Sequence, residues 1–118
     1  MEKVLINFSN HPSEYWCPEQ IRQAELYGKI MDVPFPSVDP QANETEIGKI
    51  GKEYVQQIMN YHPVAVLCQG EFTLAYFVIC HLKENGIPVL AACSERKVIE
   101  EGKVRQSIFE FVRFREYQ

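Results

Sequence analysis

The apolar residues of this chain alternate between short runs and helical spacing, which is typical of strands that alternate with helices in an α/β fold. The first run, VLINF, is near-continuous, as expected of a parallel strand that is covered on both faces. The second, KIMDV, is closed by prolines, which cannot continue a ladder. The pattern predicts strands at residues 4–8, 29–33, 64–67 and 89–92, and helices at 18–27, 43–60 and 72–84.

The last quarter of the sequence departs from this alternation. After the fourth predicted strand, the polar segment Ser94-Glu95-Arg96-Lys97 leads into an EEGK turn and then into the tail SIFEFVRF. The mixed alternation of the tail predicts an edge strand or hairpin, half covered by the protein or by a partner chain. The expected fold is a Rossmann-like three-layer α/β sandwich, a single domain over residues 1–118, with a mostly parallel sheet of four to six strands and this C-terminal strand or hairpin.

Composition and charge narrow the class of protein. A chain of 118 residues with 46% hydrophobic and 24% charged residues is expected to form one globular domain with its own core. The net charge of −4 argues against binding duplex nucleic acid or an anionic membrane through bulk charge. No signal peptide or run of about 18 apolar residues is present, so the expected location is the cytoplasm. Because the protein as a whole is acidic, an anionic ligand is expected to bind only at a local site that supplies its own donors or positive charge.

The cysteines and histidines do not form a metal-binding pattern. The four cysteines lack C-x-x-C spacing and three of them lie in apolar runs, which predicts reduced thiols. The three histidines are scattered over different elements, so neither a metal nor another cofactor is expected. Cys68 ends a strand before Gly70, but the nucleophile-elbow pattern is not matched because residue 66 is Val.

Candidate chemistry lies in the loops that follow the strands, because open parallel sheets bind ligands at the carboxyl ends of their strands. After the first strand, Ser9-Asn10-His11 supplies a hydroxyl, an amide and an imidazole, and His11 is a candidate base. An ordinary turn at the end of a strand is the alternative. If the first and third strands are neighbours, the loops that follow them face each other across one crevice.

The loop after the third strand, Gly70-Glu71-Phe72-Thr73, enters a predicted helix. Its backbone amides can hold a phosphate, or Glu71 or Thr73 can simply cap the helix. Neither G-x-G-x-x-G nor G-x-x-x-x-G-K-[ST] is present, which argues against classical dinucleotide binding and P-loop hydrolysis. After the fourth strand, Arg96 and Lys97 are the only adjacent basic pair in the chain and are candidate anion contacts.

These three polar segments resemble those of the CRISPR-associated Rossmann-fold (CARF) domains of antiviral defence. Such domains pair as homodimers and bind cyclic oligoadenylates across the two-fold axis, and some stand-alone members cut the ring as metal-independent ring nucleases. The acidic net charge, the lack of a following effector domain and the stiff loop of Pro34, Pro36 and Pro40 depart from that family. The resemblance implies that the residues around the ligand are Ser9, Asn10, Gly70, Glu71, Thr73, Arg96 and Lys97. Ser94 is a further candidate contact, and the residue types of His11 and Glu71 make them the candidate catalytic residues.

Three functional hypotheses follow. The first is a homodimeric binder of a cyclic or linear nucleotide, with ring cleavage of the phosphodiesterase or lyase type as its enzymatic extension. The second is a small enzyme for a nucleotide or sugar phosphate, with Glu71 or His11 as base and Cys68 nearby. The third is a non-catalytic interaction module that pairs through its C-terminal strand. A homodimer is favoured by the apolar side chains of the tail, which are Ile108, Phe109, Phe111, Val112, Phe114 and Tyr117.

Overall fold

The computed structural model describes residues 2–118 as an α/β fold around one five-stranded, mostly parallel sheet. The order across the sheet is β2-β1-β3-β4-β5, in which only the β4–β5 pair is antiparallel. The α/β class, the mostly parallel sheet and the C-terminal hairpin are therefore confirmed. The strands are β1 (Val4–Ser9), β2 (Lys29–Asp32), β3 (Ala65–Gln69), β4 (Val89–Glu101) and β5 (Val104–Glu116), and the α-helices are α1 (Pro18–Glu25), α2 (Glu44–Met59) and α3 (Phe72–Glu84).

Strand β1 is an internal strand of the sheet, paired with β2 on one side and with β3 on the other. Its alternate residues enter two separate clusters of buried side chains. Leu5 packs with Ala24 of α1, whereas Ile6 packs with Ile58 of α2 and Leu74 of α3. This burial on both faces explains why the first apolar run is almost continuous. The chain leaves β1 toward β2 and later returns to β3 on its other side, so the connections diverge at the carboxyl end of β1.

The helices begin and end near the residues that the sequence indicates. The side chain of Asn43 accepts a hydrogen bond from the amide of Glu46 at 2.9 Å and caps α2. Helix α3 spans residues 72–84 as predicted and is followed by Gly86, whose φ of +77° ends the helix. Helix α1 is two residues shorter than predicted because it ends at Glu25.

The prediction that the fourth strand ends at residue 92 was wrong. Strand β4 continues to Glu101, so Ser94, Arg96 and Lys97 lie in a ladder with β5 and not in a loop. A two-residue connection closes this ladder. Gly102 has a φ of +61°, which a type II′ turn requires of its first central residue, and such turns match the twist of paired strands. The sequence pattern does not reveal this part of β4 because neither face of the strand is buried, so its residues show no apolar alternation.

Residues 94–111, which we call the arm, project from the rest of the fold. All residues from 94 to 110 are exposed. The radius of gyration is 15.8 Å, whereas a compact chain of this length has a value of about 13 to 14 Å. At the base of the arm the register shifts by one residue between Cys93 and Ser94, which leaves Val112 out of the pairing. The side chain of Gln23 donates a hydrogen bond to the carbonyl of Val112 at 3.2 Å and ties this bulge to α1.

The two faces of the arm differ in chemistry. Residues that lie directly opposite each other in an antiparallel ladder share a face. Arg96 therefore shares a face with its partner Phe109, and Ser94 with Phe111; we call this the crevice face. The opposite face carries the apolar side chains of Ile99, Val104 and Ile108 together with Gln106 and four charged residues, which are Glu95, Lys97, Glu101 and Glu110.

Gly70 provides a test of how tightly the end of β3 is packed. A Cβ at this position would lie 2.6 Å from ring atoms of the buried Phe35, which itself packs on Phe8. We expect Gly70→Ala to lower the free energy of unfolding by about 1 to 3 kcal/mol through overpacking. The matched change Gly48→Ala, where the nearest ring atom of Phe77 is 3.8 Å away, should raise it by about 0.5 to 1 kcal/mol. Urea denaturation measures both, and equal stability of the two variants would contradict this packing.

Candidate functional site

An open crevice with a volume of about 850 Å³ lies at the carboxyl ends of β1 and β3, beside the crevice face of the arm. This volume is within the range of about 300 to 1,000 Å³ that is typical of small-ligand sites. The final residues of the two strands, Ser9 and Gln69, are direct neighbours in the sheet. The prediction that the loops after the first and third strands face one crevice is therefore confirmed.

A buried network shapes the wall of the crevice at β1. The Asn7 side chain is 1% exposed. Its amide nitrogen donates to the carbonyl of His11 at 3.0 Å and to the carboxylate of Asp32 at 3.1 Å. The other oxygen of Asp32 accepts a hydrogen bond from the backbone amide of Ser13 at 3.1 Å. The loop after β1 is thus tied to β1 and β2 by side chains of the two strands themselves.

Ser9 belongs to the same network. Its hydroxyl lies 2.7 Å from the Asn7 side-chain oxygen, to which it donates, and it accepts a hydrogen bond from the amide of His11 at 3.2 Å. The indole of Trp16 donates to the His11 carbonyl at 3.0 Å. Ser9 therefore uses its single hydroxyl proton in a hydrogen bond within the protein, and its role is to stabilise the wall of the crevice. Asn10 and the imidazole of His11 are exposed at this wall.

The opposite side of the crevice exists because β3 and β4 separate. Their pairing covers only Val66↔Val89 and Leu67↔Leu90. Beyond this pairing, the Gln69 side chain accepts a hydrogen bond from the backbone amide of Ala92 at 3.0 Å. The side chain thus takes the place of the backbone carbonyl that a paired strand would offer. Strand β4 then continues into the arm, which brings Phe109 and Phe111 to the crevice.

Helix α1 contributes a further amide that the sequence reasoning missed. Gln20 lines the crevice, is 6% exposed, and has no side-chain hydrogen bond to any residue within 2–118. It escaped notice because a glutamine in an amphipathic helix normally lies on the solvent face. The spacing of four residues to the buried Ala24 is the signal that could have revealed it.

Glu71 and Thr73 do not line the crevice; they cap α3. The Glu71 carboxylate accepts hydrogen bonds from the amides of Leu74 and Thr73, both at 2.9 Å, and from the Thr73 hydroxyl. These amides, Leu74 first, lower the pKa of Glu71 below its ordinary value of 4.5. The donors that could hold a phosphate at this helix are thus satisfied by the protein's own carboxylate. The space beside Gly70 is filled by the ring of Phe35.

The two basic residues of the arm have different partners. The Arg96 guanidinium donates to the neutral Ser107 hydroxyl at 3.0 and 3.3 Å. Lys97 lies on the opposite face and forms an ion pair with Glu110 at 2.9 Å. Neither side chain is in the lining of the crevice, where Glu110 supplies the formal charge. Of the residues proposed for the ligand, the crevice brings together Ser9, Asn10, Gly70 and Ser94, with His11 beside them.

The structure argues against Cys68 as a nucleophile. Its side chain is fully buried, and this burial raises the pKa of the thiol to about 12. Cys17, by contrast, is exposed at the crevice. Within residues 2–118, no three His, Cys, Asp or Glu side chains are grouped in a way that could hold a metal ion. In the same residues, no helix is both long and apolar enough to cross a membrane.

Comparison with known families places the chain in a group. Residues 3–115 match the model of the family described as uncharacterized protein MJ1673. The chain belongs to the MJ1673 family. The match covers β1 through nearly all of β5, so the crevice and the arm both lie within the family's extent. No curated protein matches the chain.

Capping by Glu71 makes the stability of this MJ1673 family member depend on pH. We expect Glu71→Ala to lower the free energy of unfolding at neutral pH by about 0.5 to 1 kcal/mol, because the cap is lost at an exposed site. The pKa of Glu71 is lowered by folding, so its stabilisation is present above the ordinary value of 4.5 and is lost as the pH falls through the folded value. Urea unfolding of both proteins between pH 7 and 3 measures this, and a constant difference would contradict the capping role.

Proposed function

We propose that this protein binds a nucleotide second messenger of the cyclic oligoadenylate type in the crevice. The observation that carries the proposal is the composition of the lining, which combines side-chain amides with aromatic rings. Asn10 and Gln20 supply the amides, and Tyr15 and Phe109 are among the rings. Such a lining suits planar, polar bases better than it suits a bare phosphate. A cyclic oligoadenylate is a cytoplasmic ligand, so the proposal includes a cytoplasmic location.

The arrangement of the sheet supports this position for the ligand. We infer a Rossmann-like three-layer architecture, since α1 packs on one face of β1 and α2 and α3 pack on the other. In such sheets, ligands bind at the carboxyl edge where the chain connections diverge. The crevice lies at that edge, between β1 and β3.

The phosphates of the ligand need a cation, and Arg96 is the best placed. It lies on the crevice face, directly opposite Phe109, which lines the crevice. Its present partner, the Ser107 hydroxyl, is neutral. A phosphate oxygen that replaced this hydroxyl would form a stronger, charged hydrogen bond with the Arg96 guanidinium. Lys97 is already paired with Glu110 on the opposite face. The proposal therefore assigns phosphate contact to Arg96 and not to Lys97.

Binding is better supported than cleavage. Of the two proposed catalytic residues, His11 is at the crevice, whereas Glu71 is held in the cap of α3. His11 would therefore have to transfer protons alone, because the Glu71 carboxylate is not available as its partner. The alternative of a small-substrate enzyme with Cys68 near its centre has less support because that thiol is buried and neutral.

We further propose that the protein is a homodimer that pairs through the opposite face of the arm. Ile99 and Val104 are 43% and 67% exposed there, on a projecting hairpin whose β5 edge has no strand neighbour within residues 2–118. Exposed apolar hairpins of this kind are normally covered by another chain. A two-fold axis would let one face cover its own copy.

Sedimentation velocity tests the homodimer. The unmodified protein should sediment as a dimer at micromolar concentration, and Ile99→Arg should convert it to a monomer by replacing one of the three apolar side chains of that face with a charge. Tyr76→Arg, on the exposed side of α3, should leave the dimer intact. A clean monomer of the unmodified protein over the same concentrations would contradict the proposal.

Titration with adenylates tests the binding function. Cyclic tri-, tetra- and hexa-adenylate are compared with linear adenylates and AMP by isothermal calorimetry. Arg96→Ala should weaken binding about tenfold or more, since a charged hydrogen bond contributes about 1.5 to 3 kcal/mol. Lys103→Ala, in the exposed turn at the tip of the arm and outside the crevice lining, is the matched control and should leave the Kd within about twofold. Incubation of the bound ligand without metal then shows whether the ring is cut.

The proposed function is wrong if no adenylate binds at high micromolar concentration. Equal weakening by both substitutions would leave the binding function standing but would contradict the assignment of the phosphate contact to Arg96, since Lys103 lies in the turn of the arm and outside the crevice lining.

A further inference from the structure

Gln20 of helix α1 is a nearly buried residue whose side-chain amide has no hydrogen bond to any residue within 2–118. Gln20 is 6% exposed and lies one turn before Ala24, which packs in the core with Leu5 and Leu67. Glutamine is mostly found at exposed positions, and burial of an amide without a hydrogen bond destabilises a protein. The other buried polar side chains, Asn7 and Ser9, are both hydrogen-bonded. Gln20 is therefore an exception in its own structure.

The amide of Gln20 is open toward the crevice. It has no hydrogen bond within residues 2–118, yet no fully enclosed side-chain nitrogen or oxygen in those residues lacks a partner. Both amide atoms must therefore keep some access to open space, and the crevice is the open space that this side chain lines. By contrast, Gln23 on the same helix bonds Glu19 and the carbonyl of Val112.

The chemistry around Gln20 suits the edge of a nucleobase. A side-chain amide presents a donor beside an acceptor in one plane. The N7 edge of adenine presents the complementary pair, an N6 amino donor beside the N7 acceptor, whereas the N7 edge of a 6-oxopurine presents two acceptors, O6 and N7. A side-chain amide therefore distinguishes the two kinds of purine when it pairs with this edge. Tyr15 and Phe109 line the same crevice and offer aromatic surfaces for a planar base.

We propose that Gln20 is the base-reading residue of the crevice and selects 6-aminopurines over 6-oxopurines. This inference rests on the proposed function, because it assumes that a nucleotide occupies the crevice. A well-placed pair of such hydrogen bonds corresponds to about a 5- to 150-fold preference for the matching base.

Two matched ligand pairs test the base preference: cyclic tetra-adenylate against cyclic tetra-inosinate, and AMP against IMP. The unmodified protein should bind the adenine ligand at least about fivefold more tightly within whichever pair binds. Gln20→Met, which keeps the length of the side chain but removes the amide, should bind the two ligands equally and both weakly. Gln57→Met, at an exposed position of α2 with no side-chain hydrogen bond within residues 2–118, should behave as the unmodified protein.

Unfolding without ligand supplies a readout that does not depend on binding. Because the amide of Gln20 bonds no other group within residues 2–118, Gln20→Met should leave the urea midpoint unchanged or raise it. A lowered midpoint would show that the amide has a structural role and would overturn the inference. Equal binding of adenine and hypoxanthine ligands by the unmodified protein would also overturn it while leaving the proposed function standing. Absence of binding to all four ligands would overturn both.

Discussion

The crevice depends on the buried amide of Asn7. A strand end at the centre of a sheet carries polar groups that must find partners once water is excluded. Asn7 meets this need with three hydrogen bonds, to the His11 carbonyl, to Asp32 of β2 and to the Ser9 hydroxyl. Because Trp16 donates to the same His11 carbonyl, the loop after β1 must fold back over the strand. The wall of the crevice therefore forms because the polar groups at the end of β1 find their hydrogen-bond partners in the loop that follows.

The second side of the crevice has a different origin, the separation of β3 from β4. Gln69 replaces the missing ladder contact by bonding the backbone of Ala92. Strand β4 is then free to pair with β5 alone, and the bulge at Val112 bends the arm. Gln23 holds that bulge from α1. The same helix thus supports the arm through Gln23 and contributes Gln20 to the lining of the crevice.

The sequence predicts the central part of this fold well because each central strand is buried on both faces. β1 and β3 read as apolar runs, and the caps at Asn43 and Gly86 mark helix ends by local chemistry alone. The arm could not be predicted in the same way. Its residues from Ser94 to Glu101 alternate without a buried face, so the apolar pattern ends near residue 92 although the hydrogen-bonded ladder continues.

The candidate site was predicted in part for a similar reason. The position of the crevice follows from topology, so the loop after β1 was found. Glu71 and Thr73 fit either a phosphate site or a helix cap, and only the distances to the amides of α3 identify the cap. The four-residue spacing from Gln20 to Ala24 indicates the buried face of α1, but the lack of a partner for the Gln20 amide is found only in the structure.

Amide hydrogen exchange in the presence of cyclic tetra-adenylate tests the central claim most directly, because it reports where a ligand lies without altering a residue. The account predicts added protection in residues 10–20 and on the arm near Phe109, which line the crevice alone. An apolar groove between α3 and the end of β5, lined by Phe72 and Tyr76, provides the internal comparison. Protection confined to that groove, or the absence of any protection at saturating ligand, would contradict the account.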